Sequence, residues 1–457
     1  MRQIVVLMAA LTVASVGAAE DAGLETVRWQ TAIDAASRRG GGVVAVPAGR
    51  HVVGQLYLKS NVELRLEKGA SLEGAAGLHN YRVHKLPFSE GTWSAVVMGL
   101  NVTNVAITGE GEIFGNGKAF EPVKAYGVCA EGFRPRGVFF SECRGIRLED
   151  FTLRDAACWG IVLKCCDGMT ARRVKVDSHA NHNNDGFDVE AKNVLIEDCD
   201  VDSGDDAYCI KSNNPDFVVE NVTVRNCIAR SHCNGYKLGT ASHGTMRRIR
   251  VEHCRTAAPR RVYRDLAPMP RDLTTWHPVA GAPKYLCGPG IGAVCVECVD
   301  GGVVEDVFFD DIRVAGFQVP VFVRGGTRSG RACGTPPNDK YVLRNVVVQN
   351  VRGRAEQAFA SSVTGVKGCR PADVTLRNFD IECVGEGENA KAIREPGAET
   401  AGLYPEATMF RKYRLPSYGL YVDQADGVRV EDLRFTLRPG TVDGRKPIHF
   451  SKDVTSK

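Results

Sequence analysis

A six-residue phrase recurs along the chain: apolar, any residue, apolar, polar, polar turn-former, apolar. Imperfect copies start at Val62 (VELRLE) and Val105 (VAITGE). Clearer ones are IRLEDF from Ile146, VKVDSH from Val174, VLIEDC from Val194, VTVRNC from Val222 and IRVEHC from Ile249. VFFDDI from Val307, VVVQNV from Val346, VTLRNF from Val374 and VRVEDL from Val428 follow. Between Ile146 and Ile249 the starts advance by 28, 20, 28 and 27 residues, and the later gaps of 58 (249 to 307) and 54 (374 to 428) are close to twice that step. Period-two alternation inside a repeat of this length predicts short β-strands, one set per coil. A lone coil cannot bury its apolar side, so coils stack in parallel register into a solenoid. The fifth position (Asp150, Asp198, Asn226, Asp311, Asn350, Asn378, Asp432) suits a tight turn, because Asn and Asp tolerate left-handed backbone. The sixth (Phe151, Cys199, Cys227, Cys254, Ile312, Val351, Phe379, Leu433) forms an internal ladder. Hairpin glycines are too sparse for an antiparallel sandwich, and the period is too short for a propeller blade. The expected fold is all-β, a single-stranded parallel β-helix.

Leu24 to Arg39 reads as an amphipathic helix that stops at Gly40-Gly41-Gly42 and would cap the open solenoid end. Two stretches break the rhythm, Thr256 to Gly288 and Glu386 to Pro416. Both read as long loops inserted between coils, of the kind that wall a binding groove. At the start, Arg2, the apolar run Ile4 to Val16 and the small residues Gly17-Ala18-Ala19 form an export signal. The run is too short to span a bilayer. The expectation is a secreted or periplasmic protein whose residues 1–19 are removed and whose residues 20–457 form one domain, acting as a monomer.

The chain has 457 residues, and its formal charge of +4 comes from dispersed basic residues, which points to no nucleic-acid partner and leaves an acidic polymer open. Sixteen cysteines in an exported chain suggest disulfides. Cys199, Cys227 and Cys254 share one repeat position and are better read as buried apolar groups. Cys143, Cys333, Cys369 and Cys383 are the bridge candidates. Cys165-Cys166, Cys295 and Cys298 lack zinc-ligand spacing, so no metal and no cofactor is expected. There is no nucleophile elbow and no nucleotide-binding fingerprint.

Between Asn181 and Ser212 runs NHNNDGFDVEAKNVLIEDCDVDSGDDAYCIKS. Asp185 lies 20 and 21 residues before Asp205 and Asp206, one coil away. Stacked coils are about 4.8 Å apart, so the three carboxylates should share one external face. Like charges at that distance raise at least one pKa, which separates a protonated acid from an ionised base. Asp198, Asp200 and Asp202 read as turn or solvent-facing residues, and Asp188 can be either structural or functional.

The chain resembles the polygalacturonase family, glycoside hydrolase family 28. The likeness runs from GGGVVAVPAGRHVVGQLYLKSNVELRLEKGASLEG through GEGEIFGNG to the last coils. Its most specific pieces are Asn183-Asn184-Asp185-Gly186-Phe187-Asp188, similar to the family's Asn-Thr-Asp-Gly motif, and Gly204-Asp205-Asp206, similar to its Asp-Asp motif. The resemblance implies a right-handed β-helix and inverting acid/base hydrolysis of a cell-wall polysaccharide. In it Asp205 is the general acid, and Asp185 and Asp206 hold and deprotonate water with Asn183 assisting. Two departures stand out. Counting back from Leu238-Gly239-Thr240 puts Asn234 in the family's histidine slot, with His232 two residues earlier. Cys295 and Glu297 fall near the Arg-x-Lys pair that grips the substrate carboxylate, and a carboxylate there repels galacturonate. Lys211, Lys237, His232, Asn234 and Glu297 are therefore candidate substrate-binding residues, and a neutral or differently substituted glycan fits better than homogalacturonan.

Two other readings stay open: a polysaccharide lyase using Ca²⁺ at the acidic cluster, and a non-catalytic glycan-binding β-helix. The binder would display aromatic stacking rows, and no exposed row is evident in the sequence. If a loop closes one end of the groove the enzyme would be exo-acting, with Thr256 to Gly288 the candidate wall.

Overall fold

The computed structural model describes residues 24–88, 91–120, 134–181, 183–261, 288–328, 340–387 and 392–456. The export segment, Cys333 and most of the Thr256 to Gly288 insertion lie outside them.

Strands pair in parallel with the equivalent strand of the next coil, in three ladders that run the length of a right-handed parallel β-helix. One ladder carries the repeat phrase. Its register joins Ile146 to Met169, Met169 to Val194, Val194 to Val222 and Val222 to Ile249. The phrase VKVDSH therefore sits elsewhere: Lys175 and Val176 pair with Thr152 and Leu153 in a second ladder. The true copy in that coil is MTARRV, from Met169. It lacks the β-branched signature, but Arg173 takes the left-handed turn (φ 53°) at the fifth position and Val174 is buried at the sixth. The two long gaps hide no extra coil either. Ile249 pairs directly with Val307, and Thr375 with Arg429, so the additional residues are insertions.

The turn expectation is met at every position named. Asp150, Asp198, Asn226, Asp311, Asn350, Asn378 and Asp432 all have φ between 52° and 71°. The sixth-position ladder is buried from Phe151 to Phe379, with Leu433 partly covered near the last coil. Cys199, Cys227 and Cys254 are buried free thiols within it. Cys143, Cys369 and Cys383, expected as bridges, are also free thiols. Cys143 lies level with Cys166 on the next coil, and each thiol donates to a carbonyl two residues back, at 3.2 Å (Ser141) and 3.4 Å (Lys164).

The first helix spans Thr26–Arg38 and buries Trp29, Ile33 and Ala36 over the open end. It is tied to the first coil by hydrogen bonds between Gln30 and Tyr57 and between Thr26 and Gly54. No helix among the described residues is long and apolar enough to cross a membrane.

Candidate active site

The third ladder builds the site. Inside the helix, Phe187, Tyr208 and Tyr236 lie level on successive coils and stack at centroid distances of 5.7 and 5.2 Å. These rings form a rigid floor. Two residues before each of them the chain enters the ladder, and the backbone there is also in register: Gly186 N–H donates to the Asp206 carbonyl and Ala207 N–H to the Asn234 carbonyl. Asp185, Asp206 and Asn234 therefore form one row across three coils. Gly186 is required by the same closeness, because a Cβ there would lie 2.4 Å from the Ala207 carbonyl oxygen and the Val201 side chain. Three residues after Asp185, Asp188 lies level with Cys209, and Cys209 with Lys237.

The expected carboxylates do converge. The Asp206 backbone N–H donates to Asp205 Oδ1 at 2.8 Å, and Asn183 Nδ2 to Asp205 Oδ2 at 3.5 Å. Asn183 and Asp205 are partly exposed, whereas Asp185 and Asp206 are buried. Two buried lysines lie among the acids. Lys211 Nζ is 2.7 Å from Asp188 and 3.5 Å from Asp185, and 3.9 Å from the centre of the Trp159 ring. Lys237 Nζ is 3.1 Å from Asp206 Oδ2.

These charges divide the carboxyls. Burial opposes ionisation of Asp206, but the Lys237 and Lys211 charges and the Asn234 hydrogen bond outweigh it and hold the carboxyl below its ordinary range. Asp185 goes the other way. Burial pushes it well above that range, and the charges of Asp188, Asp205 and Asp206 add to the push against Lys211. Asp206 is thus biased toward the ionised form and Asp185 toward the protonated form.

Asn234, in the histidine slot, donates through Nδ2 to Asp206 Oδ1 at 2.7 Å and to Glu406 Oε2 at 3.2 Å. Its Oδ1 accepts from Gly292 N–H at 3.2 Å. Glu406 comes from the second insertion and was not a sequence candidate. Glu297, expected as either an exposed strand residue or a ligand, is fully buried. Burial and the Glu406 and Asp206 charges push it up to about 8 against the opposing charge of Lys237. Burial, with Asp206 and Asp205, pushes Glu406 up to about 7. Lys237 is held well above its ordinary range, because Asp206, Glu297 and Glu406 overcome its burial.

Other residues stand differently from expectation. His232 is buried with both ring nitrogens facing backbone carbonyls, Gly288 at 3.2 Å and Arg261 at 3.0 Å, and its ring meets His179 edge-on. These carbonyls hold its ring in the turn beside the site. Asp202, expected at the surface, is buried and 2.8 Å from His179 Nε2. Asp188, left open by the sequence, joins the cluster through Lys211. Among the described residues Asp205, Asp206 and Cys233 could converge on a metal ion, but the ammonium groups of Lys211 and Lys237 already neutralise this cluster.

The fold is a parallel β-helix with an outward row of carboxylates at the start of one ladder. Residues 38–253, just under half of the chain, match the model for glycosyl hydrolases family 28, and the chain is similar, at low identity, to polygalacturonases. An Arabidopsis thaliana protein named "Probable polygalacturonase" is 27% identical over 188 residues, 34% of this chain and 40% of the relative. The chain spans about two fifths of the length of such curated relatives. Its fold is shared with the exopolygalacturonase of Thermotoga maritima (TM-score 0.62, 21% identity, 78% of this chain and 83% of that one). It is shared too with the family 28 exopolygalacturonase of Yersinia enterocolitica (TM-score 0.65, 18% identity, 95% and 75%). Asn183, Asp185, Asp205, Asp206 and Asn234 lie inside the matched segment, and Glu297 and Glu406 lie beyond it.

Proposed function

We propose that this chain is an exported, monomeric glycoside hydrolase that cleaves a pectic or related cell-wall polysaccharide with inversion at the anomeric carbon. The observation that carries the reading is the row Asp185–Asp206, in which neighbouring coils hold two buried carboxyls, one pushed above and one held below its ordinary range, beside the partly exposed Asp205. Asp205 gives its proton to the glycosidic oxygen as that bond breaks. Asp206, kept ionised by Lys237, takes a proton from a water whose oxygen bonds to the anomeric carbon from the opposite face. Asp185 and Asn183 orient that water by hydrogen bonds. An oxygen of Asp205 and one of Asp206 lie within 4.8 Å of each other, closer than the roughly 6.5–9.5 Å between the carboxyls of most inverting enzymes, so the stereochemistry of the product is the direct test of inversion.

Substrate class follows from the other end of the row. Cys295 and Glu297, near the slots where the family resemblance places a cationic pair, are buried behind Asn234 with Glu406 beside them, so this region offers no cation to a sugar carboxylate and a neutral or differently substituted glycan fits better. Lys237 serves Asp206 and is not available to grip a uronate.

The test is a panel of pectic, algal and other cell-wall glycans incubated with the purified protein and with Asp205→Asn. New reducing ends that the variant fails to produce support the hydrolase. Products with the ultraviolet absorbance of an unsaturated uronate, suppressed by a chelator, would move the protein to the Ca²⁺-dependent lyases. Binding without cleavage would make it a glycan-binding solenoid.

A further inference from the structure

On the outward face of the third ladder, burial departs from the alternation seen elsewhere. The strand Tyr341–Arg354 of the first ladder alternates covered and open residues, whereas Arg136–Ser141, Asn234–Ser242 and Gly290–Cys298 of the third are buried at every position and Phe317–Gly325 at every position but Gln318. Something covers this face on both sides of the carboxylates.

Towards the first coils the cover comes from residues 78–88 and 91–94, which include the antiparallel pair His84–Lys85 and Thr92–Trp93. Trp93 stacks on Phe139 at 4.8 Å and meets Trp159, which precedes Asp185 in the row. Arg136 lies over Trp93 and donates to the Thr92 carbonyl at 3.0 Å, and Lys164 Nζ donates to the Phe88 carbonyl at 2.6 Å. Towards the last coils the cover is the segment 398–416. Ala407, Met409, Phe410 and Leu415 pack on the outward side chains Ile291, Cys295, Phe322 and Tyr421. Arg324 donates to the Thr400 carbonyl at 3.1 Å, and the Tyr404 and Thr240 hydroxyls are 3.2 Å apart. Gly292, next in the row after Asn234, has no room for a side chain, because a Cβ there would lie 2.3 Å from Cys295 Sγ, 3.0 Å from Asn234 Oδ1 and 3.1 Å from Ala407 Cβ. Glu406 completes this wall against Asn234.

The row is therefore blocked at Trp159 on one side and at Asn234 on the other. Between them lie two coils, a span of about 10 Å along the helix axis. The partly exposed members, Asn183 and Asp205, mark an approach from the flank and not along the axis. A polysaccharide running along the sheet face would collide with both walls.

We infer that the site is a pit that admits only the end of a glycan and releases a terminal sugar at each turnover, with residues 78–88 and 91–94 on one side and 398–416 on the other as its walls. This rests on the hydrolase reading above. It assigns a specificity role to two segments outside the catalytic motifs and places Tyr404, Glu406 and Phe410 in the second wall; most of the Thr256 to Gly288 insertion lies outside the described residues.

The experiment uses the full protein on whichever polysaccharide gives new reducing ends, following solution viscosity, reducing ends and product size together. End action predicts a single small sugar from the first time point, with viscosity almost unchanged while reducing ends accumulate. An early fall in viscosity and a ladder of oligosaccharides would overturn the inference while leaving the hydrolase intact. No new reducing ends from any glycan would instead remove the reading on which it rests. A Phe410→Ala, Met409→Ala variant, loosened at the second wall, should add longer products to the profile. Should it not fold, the product profile of the unmodified protein decides alone.

Discussion

Replacing Lys237 by methionine isolates the electrostatic element on which the site depends. Lys237 and Asp206 are both buried, with 3.1 Å between Nζ and Oδ2. At an effective dielectric constant of about 20, that separation corresponds to an attraction of about 5 kcal/mol. Methionine conserves the length of the side chain and removes the charge, so the variant leaves Asp206 as a buried carboxylate facing Glu297 and Glu406. Loss of one partner of a buried pair costs about 3–5 kcal/mol. The carboxyl has an escape, which is to protonate. From an ordinary pKa of 3.8, protonation costs about 4 kcal/mol at pH 7 and about 1.6 kcal/mol at pH 5, at 1.36 kcal/mol per unit. The destabilisation should therefore reach about 4 kcal/mol at pH 7 and shrink by more than half at pH 5. Denaturant unfolding at the two pH values, monitored by circular dichroism, measures it. Adding Asp206→Asn should restore most of the loss, because it removes the stranded charge. A loss below about 1 kcal/mol at pH 7, or one that does not change with pH, would refute the argument. On an active substrate, the acid limb of the rate profile of Lys237→Met should move to higher pH, because Asp206 then needs a higher pH to ionise.

Three further outcomes follow from other parts of the structure. Glu406 and Glu297 have folded pKa values raised from 4.5 to about 7 and about 8; a raised carboxyl stabilises the fold fully below 4.5 and loses that contribution as pH rises through 7 and 8, so calorimetric Tm should fall from pH 5 to pH 8.5, and Glu297→Gln should flatten the decline. Asn350 sits at φ 55° in a coil turn, so Asn350→Val should cost about 1–2 kcal/mol while Asn350→Gly costs much less, measured by denaturant midpoint. The described cysteines are free thiols, all buried apart from the half-buried Cys165; brief alkylation of the native protein should modify Cys165 first, and denaturation without reductant should expose the rest to the reagent, as mass spectrometry would show.

The repeat phrase determined the solenoid, the left-handed turns at Asn and Asp and the buried sixth-position ladder, because each depends only on residues inside one coil and its equivalent in the next. The same local logic brought Asp185 level with Asp206, since a strand spacing and a coil length suffice to place them. It failed where the phrase was imperfect: Met169 lacks the β-branched signature, so the sequence placed the repeat at Val174, in the wrong ladder. It failed again at the gaps, where 58 and 54 residues looked like two coils and are one coil plus an insertion. Glu406 and Tyr404 had no local signal at all. They reach Asn234 and Thr240 across more than 160 positions of sequence, on a segment whose course is set by apolar packing against Phe322 and Tyr421 and not by any repeat. The division of the carboxyls into base and acid also belonged to the tertiary structure. Sequence put the charges on one face, but only burial and the positions of Lys211 and Lys237 decide which of them keeps its proton.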